Sequence, residues 1–208
     1  MNIAEILEII PLHGRIIFYL ILLFSTVSFA LIVDRFICFR RARLAPERTM
    51  AKIDPLLRKG KILEAVSLCD KQSRGVTRII KAGILKHDRG PEKIREAMEQ
   101  QARMELMPLE KYLPVLASIS YVAPLLGFTG TILGMMDIFF QIRLAGEFMG
   151  SGDLAGGIAE ALFTTAAGII VAIPSILAYN YFRARIDAVE FNMEQITSEV
   201  AGILRGNQ

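Results

Sequence analysis

A few hydroxyl and carboxyl side chains stand in stretches that are otherwise apolar. Glu160, Thr164 and Thr165 open the run EALFTTAAGIIVAIPSILAYNYF (160–182), and Thr131 lies inside APLLGFTGTILGMMDIFFQ (123–141). A threonine hydroxyl both donates and accepts a hydrogen bond, an ionised carboxyl only accepts, and a charge in hydrocarbon is costly unless paired or wetted. Such groups suit a polar path for protons or ions better than covalent catalysis.

Helical spacing sorts them into faces. Gly127, Gly130, Thr131 and Gly134 recur at steps of three, four and seven and so share one stripe. Gly130 and Gly134 form a G-x-x-x-G pair that lets another helix approach closely. In the later run Glu160 and Thr164 share a face, whereas Thr165 lies roughly 140° round from Glu160, with Ala161, Gly168 and Ala172. That helix therefore meets two neighbours. Each threonine also has a structural reading, since its hydroxyl can bond its own i−4 carbonyl. Glu160 is read as either an interfacial ion partner or a pathway group. Asp137, six residues beyond Thr131, is read as a solvated helix end or as a group that takes up protons.

The motifs of enzymes are missing: there is no Walker A loop, no H-E-x-x-H and no G-x-S-x-G. His13 and His87 are isolated, and Cys38 and Cys69 have no ligand at metal-site spacing. The expectation is no enzyme, metal, disulfide or cofactor.

The elements that position these groups follow from composition. Of 208 residues 53% are hydrophobic, and three uncharged windows, Ile16–Val33, Leu113–Met136 and Ala161–Phe182, are each near the roughly 20 residues that cross a bilayer. The basic run after the first window, DRFICFRRARLAPER, is the reverse of a secretory signal, so that window is an anchor. Between Arg40 and Lys111 lie 18 of the 24 Lys and Arg residues, whereas Arg143 is alone between the second and third windows. The positive-inside rule then places the long loop and C-terminus in the cytoplasm, with the N-terminus and short second loop outside. Topology accounts for the basic loop, and nucleic acid is not an expected partner.

The predicted fold is an all-α integral membrane protein in seven parts. These are an amphipathic segment 1–15 ending near Pro11, spans at 16–36, 113–141 and 159–182, a cytoplasmic helical region 37–112, an outer loop 142–158 and a cytoplasmic helix 183–208. Within the cytoplasmic region Pro46, Pro55, Gly60, Gly75 and Gly90 are predicted to break short helices, one of them in KILEAVSLCDKQ. The stretch from Pro91 is predicted to run straight into the second span. The stripe Ile186, Val189, Met193, Ile196, Val200 and Ile203 calls for burial in a cytoplasmic bundle. Pro174 removes the donor to the Ile170 carbonyl and makes a kink available.

At APLLGFTGTILGM and AEALFTTAAGIIVAIPSILAYN the sequence resembles the ExbB/TolQ/MotA family of proton-channel subunits, and its three spans match the ExbB/TolQ branch. The resemblance implies a homo-oligomeric ring, pentameric in the family, in a bacterial inner membrane. The ring would surround a single-span partner of ExbD/TolR type, with a TonB- or TolA-type protein as a further partner. It implies that Thr131 and Thr165 line the pore around the partner's aspartate and that Glu160 is the third-span glutamate; Gly127, Gly130, Gly134 and Gly168 are left to helix packing, and no role carries over to Asp137. The alternatives are a non-conducting membrane scaffold and the stator of a gliding motor.

Overall fold

The computed structural model describes residues 12–41, 46–71, 75–145 and 151–206. Most of the predicted amphipathic segment 1–15 lies outside them. The described elements are all helical: α1 (Leu12–Arg41), α2 (Pro46–Arg58), α3 (Ile62–Lys71), α4 (Val76–Ile84), a 3₁₀ turn (His87–Arg89), α5 (Pro91–Glu110), α6 (Leu113–Ala145) and α7 (Ser151–Gly206). The chain divides into two compact units, Met1–Val33 with Tyr112–Asn180, and Asp34–Lys111 with Tyr181–Gln208.

In the first unit α1, α6 and α7 are long and apolar enough to cross a membrane. They are hydrophobic on all sides, which marks a helix meant for an apolar surrounding. Ile17, Ile21, Ile119, Ala123, Val171 and Ala172 form its core. Large side chains face outward, among them Phe29 at 70%, Ile170 at 68% and Leu125 at 63% exposure. Water cannot be the medium for so much apolar surface, whereas lipid can. The helices continue past the apolar windows into the stretch predicted as loop 142–158, because a helix satisfies its own backbone whether lipid or water surrounds it. Pro174 does not interrupt α7.

The second unit is a helical bundle with a conventional core. Ile53, Leu57, Ala65, Cys69, Ile80, Ile84, Ile94 and Met98 are almost wholly buried, as are Phe182, Ile186 and Val200 from α7. The predicted stripe on α7 is thus inside at Ile186, Met193, Ile196 and Val200, while Val189 and Ile203 are half-buried and Leu204 is buried beyond them. Helix α2 ends in a Schellman arrangement at Gly60, φ 70°, with Lys61 N–H on the Leu56 carbonyl at 3.0 Å and Gly60 N–H on Leu57 at 2.9 Å.

Two local expectations are corrected. Pro55 sits inside α2 rather than breaking it. The carbonyl that loses its donor there belongs to Ala51, which is exposed and can be hydrated. The stretch from Pro91 also does not run unbroken into the second span. Lys111 leaves the helical region at ψ 133° and Tyr112 takes φ 69°, the single positive φ of a non-glycine among the described residues. Pro114 has no N–H for the Glu110 carbonyl, so the ladder could not have continued there intact. The carbonyls of Pro108 and Leu109 left over by the break accept from Arg35 Nη1 at 2.7 and 3.4 Å. Arg35 is itself buried and pairs with Asp34 at 2.6 Å.

Candidate functional site

The seam between α6 and α7 is built from residues without side chains. A β-carbon at Gly127 would lie 2.7 Å from the Thr164 carbonyl oxygen, and one at Gly168 would lie 2.5 Å from the Ala123 oxygen. At Gly130 it would meet Thr164 Oγ1 at 2.6 Å, and at Gly134 the Ala161 β-carbon at 2.9 Å. The four glycines therefore hold two backbones closer than any other residue allows.

That close approach brings the hydroxyls together. Thr131 Oγ1 and Thr165 Oγ1 are hydrogen-bonded to each other across the seam, and both are half-buried. Thr131 also reaches the Ala161 carbonyl at 3.0 Å and its own i−4 carbonyl, Gly127, at 3.3 Å; Thr165 reaches the Gly127 carbonyl at 3.1 Å. Each hydroxyl has one proton. If both protons go to carbonyls, the contact between the two oxygens has none, so the pair must share two protons among more acceptors than it can serve. Its lone pairs are available to an outside donor, and its protons can be redirected.

Thr164 is different. Only 2% exposed, it bonds Ala161 O at 2.8 Å and Gly127 O at 3.2 Å, so its hydroxyl is spent on packing. A single carbonyl, Gly127, thus has three threonine hydroxyls around it.

Glu160 and Asp137 lie at one end of this seam, both half-buried. Glu160 precedes Ala161, and Asp137 is one turn beyond Gly134, the glycine that packs on Ala161. Arg15 of α1 acts electrostatically on Glu160, as does Asp137. Nothing in the spacing singles out Arg15, and the reading from sequence gives it no role at this site. It also passed over Ser28 and Ser175, a buried pair linking α1 to α7 at 2.6 Å, with Ser175 Oγ donating to Val171 O at 2.7 Å. Ser175 is the one serine of its apolar run, whereas Ser28 shares the first run with Ser25 and Thr26 and is not marked out by sequence. Among the described residues no group of three His, Cys, Asp or Glu is placed to hold a metal ion.

Three long apolar helices, with two of them joined along a glycine and threonine seam, define a multi-pass, all-helical membrane protein. The comparisons narrow the class. The sequence profile of the MotA/TolQ/ExbB proton channel family matches residues 71–195. An ExbB-like biopolymer transport protein of Synechocystis is 30% identical, over 82% of this chain and 82% of the relative. The biopolymer transport protein ExbB of Neisseria gonorrhoeae is 30% identical, over 79% and 80%. The Tol-Pal system protein TolQ of Haemophilus influenzae is 37% identical, over 52% of this chain and 47% of its own length. The chain belongs to the MotA/TolQ/ExbB proton channel family, in its ExbB/TolQ branch.

Proposed function

We propose that this chain is the ring-forming subunit of a proton-driven machine in a bacterial inner membrane. Copies of it enclose the span of an ExbD/TolR-type partner, and proton-motive force moves that partner to do work on the cell envelope, through a TonB- or TolA-type protein. The N-terminus and the α6–α7 connection face outward and the α2–α5 bundle faces the cytoplasm, in keeping with the 18 of 24 Lys and Arg residues between Arg40 and Lys111.

The observation that carries the reading is the Thr131–Thr165 pair. The hydroxyls of Thr131 and Thr165 bond carbonyls and each other and no carboxylate among the described residues, which favours a proton carrier supplied by another chain. A hydroxyl pair with spare lone pairs and redirectable protons can accept from a protonated carboxyl and donate to an ionised one. It therefore serves a carrier that loads and releases while moving. A proton crossing 100 mV releases about 2.3 kcal/mol, enough to bias rotation or tilt of a central helix pair.

The test is the double variant Thr131→Ala, Thr165→Ala in the full complex. Proton-driven work should be abolished while the protein still assembles, since the glycine seam is untouched. Full activity would sink the assignment and favour a non-conducting scaffold, for which the seam only packs helices.

A further inference from the structure

Where α1 and α7 leave their uncharged windows, the arginines fall into two settings. Arg35 pairs with Asp34 at 2.6 Å, and Arg183 pairs with Asp187 at 3.0 Å and with Glu110 at 3.5 Å. Arg40 and Arg185 are exposed and make no ion pair among the described residues. Each instead lies over an aromatic ring one turn earlier on its own helix. The Arg40 guanidinium carbon is 5.7 Å from the centre of the Phe36 ring, and that of Arg185 is 5.7 Å from the centre of the Tyr181 ring. Both rings are themselves exposed, at 50% and 51%. A cation on the face of an exposed ring, at the end of an apolar span, is the side-chain chemistry of a membrane–water boundary.

The two pairs share one flank. Helices α1 and α7 run the same way, since Phe18 meets Phe163 and, further on, Ser28 meets Ser175. The rings of Phe39 and Phe182 stack between them with centroids 5.2 Å apart. At about 100° per residue, Phe36 and Arg40 lie about 60° and 100° to one side of Phe39, and Tyr181 and Arg185 about 100° and 60° to the other side of Phe182. On two helices running the same way, those directions open on the same flank. By the same count Asp34 and Asp187 lie on the opposite one. Arg40 is one residue past Phe39 and Arg185 three past Phe182, so the two differ by only about 3 Å in height.

We propose that this flank binds the headgroups of anionic phospholipids, with the Arg40 and Arg185 guanidiniums on phosphate and the Phe36 and Tyr181 rings against the first carbons of the acyl chains. A guanidinium offers a planar fork of donors that fits phosphate oxygens, and it is weakly enough hydrated to rest on a ring. Two cations without acid partners favour a headgroup of net negative charge, because the ammonium of a zwitterionic lipid is repelled by them. The occupant is a lipid and not a dissolved anion, since the rings that carry the guanidiniums are exposed where hydrocarbon gives way to water. The inference goes beyond the proton-channel reading and needs only that α1 and α7 cross a membrane; the inner leaflet follows from the orientation proposed above.

The test titrates the purified full-length protein in detergent with phosphatidylglycerol and counts bound lipid by native mass spectrometry. Phosphatidylcholine with the same chains and inorganic phosphate are the other two probes. Phosphatidylglycerol should bind the more tightly of the two lipids. Arg40→Gln and Arg185→Gln should each weaken it about fivefold, and the double variant about 25-fold. Arg183→Gln, which removes a charge already taken up by Asp187 and Glu110, should weaken it by less than about twofold. No loss in the double variant, or the same loss in Arg183→Gln, would overturn the proposal in favour of diffuse surface charge. Displacement of the lipid by inorganic phosphate at equal concentration would overturn the lipid as occupant. Because the readout is lipid affinity, the activity of the Thr131→Ala, Thr165→Ala variant decides the channel reading without altering this result.

Discussion

Replacing Gly168 by alanine tests the seam at its tightest point. The new β-carbon would sit 2.5 Å from the Ala123 carbonyl oxygen and 3.2 Å from Gly127 Cα. Carbon and carbonyl oxygen settle at about 3.3 Å or more, so the helices must part by about 0.8 Å locally. Both obstacles are backbone, and no side chain can swing aside. The Thr131 bond to Ala161 O at 3.0 Å and the Thr165 bond to Gly127 O at 3.1 Å cross the same seam and would stretch beyond hydrogen-bonding range. Overpacking of this kind costs about 1–3 kcal/mol, and each lost interhelical bond about 0.6 kcal/mol. Alanine's better helix propensity returns up to about 1 kcal/mol. The net loss is about 2 kcal/mol, or about 4–8 °C in melting temperature for a chain of this size. Thermal unfolding of the purified protein in detergent measures it, with Gly202→Ala as the control. Gly202 is also helical but has nothing within 4 Å of an added β-carbon, so that variant should gain stability. Equal melting temperatures for Gly168→Ala and the parent protein would refute the close-approach argument.

Two further outcomes are expected. Arg35→Met removes the donor to the Pro108 and Leu109 carbonyls at the end of α5, at a cost of about 2 kcal/mol. Trypsin should then cut after Lys111 at least about tenfold faster, and an unchanged rate would mean that the break is held by other contacts. Burial, with a smaller contribution from Asp70, pushes the Cys69 thiol up to about 11, partly opposed by Lys81. In a Cys38→Ser background, iodoacetamide labelling of Cys69 should stay slow at pH 8 and rise about tenfold per pH unit toward 11. Because the folded value is raised, the stability linked to this thiol is fully present below its ordinary value near 9 and is lost as pH rises through about 11. Labelling that levels off near pH 9 would show an unburied thiol.

The three apolar windows made the spans legible, because hydrocarbon thickness sets a length that composition reveals directly. The glycine spacing in α6 and the Thr165 stripe in α7 were also readable, since helical period turns sequence steps into directions. Pro55 and the Lys111–Tyr112 break were not. Whether a proline or a bend is tolerated depends on what its freed carbonyl meets, water at Ala51 and the Arg35 guanidinium at Pro108 and Leu109.

By itself the sequence determined that this is a three-span helical protein with hydroxyls and two acids, Asp137 and Glu160, on its later spans, because those facts depend on residue type and on steps along one helix. The tertiary structure decided which hydroxyls meet across the seam. Thr164 and Thr165 are neighbours of the same type, yet one is spent on Ala161 and Gly127 and the other meets Thr131. It also decided that Ser28 and Ser175, 147 positions apart, bond each other between α1 and α7. Both outcomes depend on the rotation and register of one helix against another, which steric contact across the seam fixes and periodicity along a single helix does not contain.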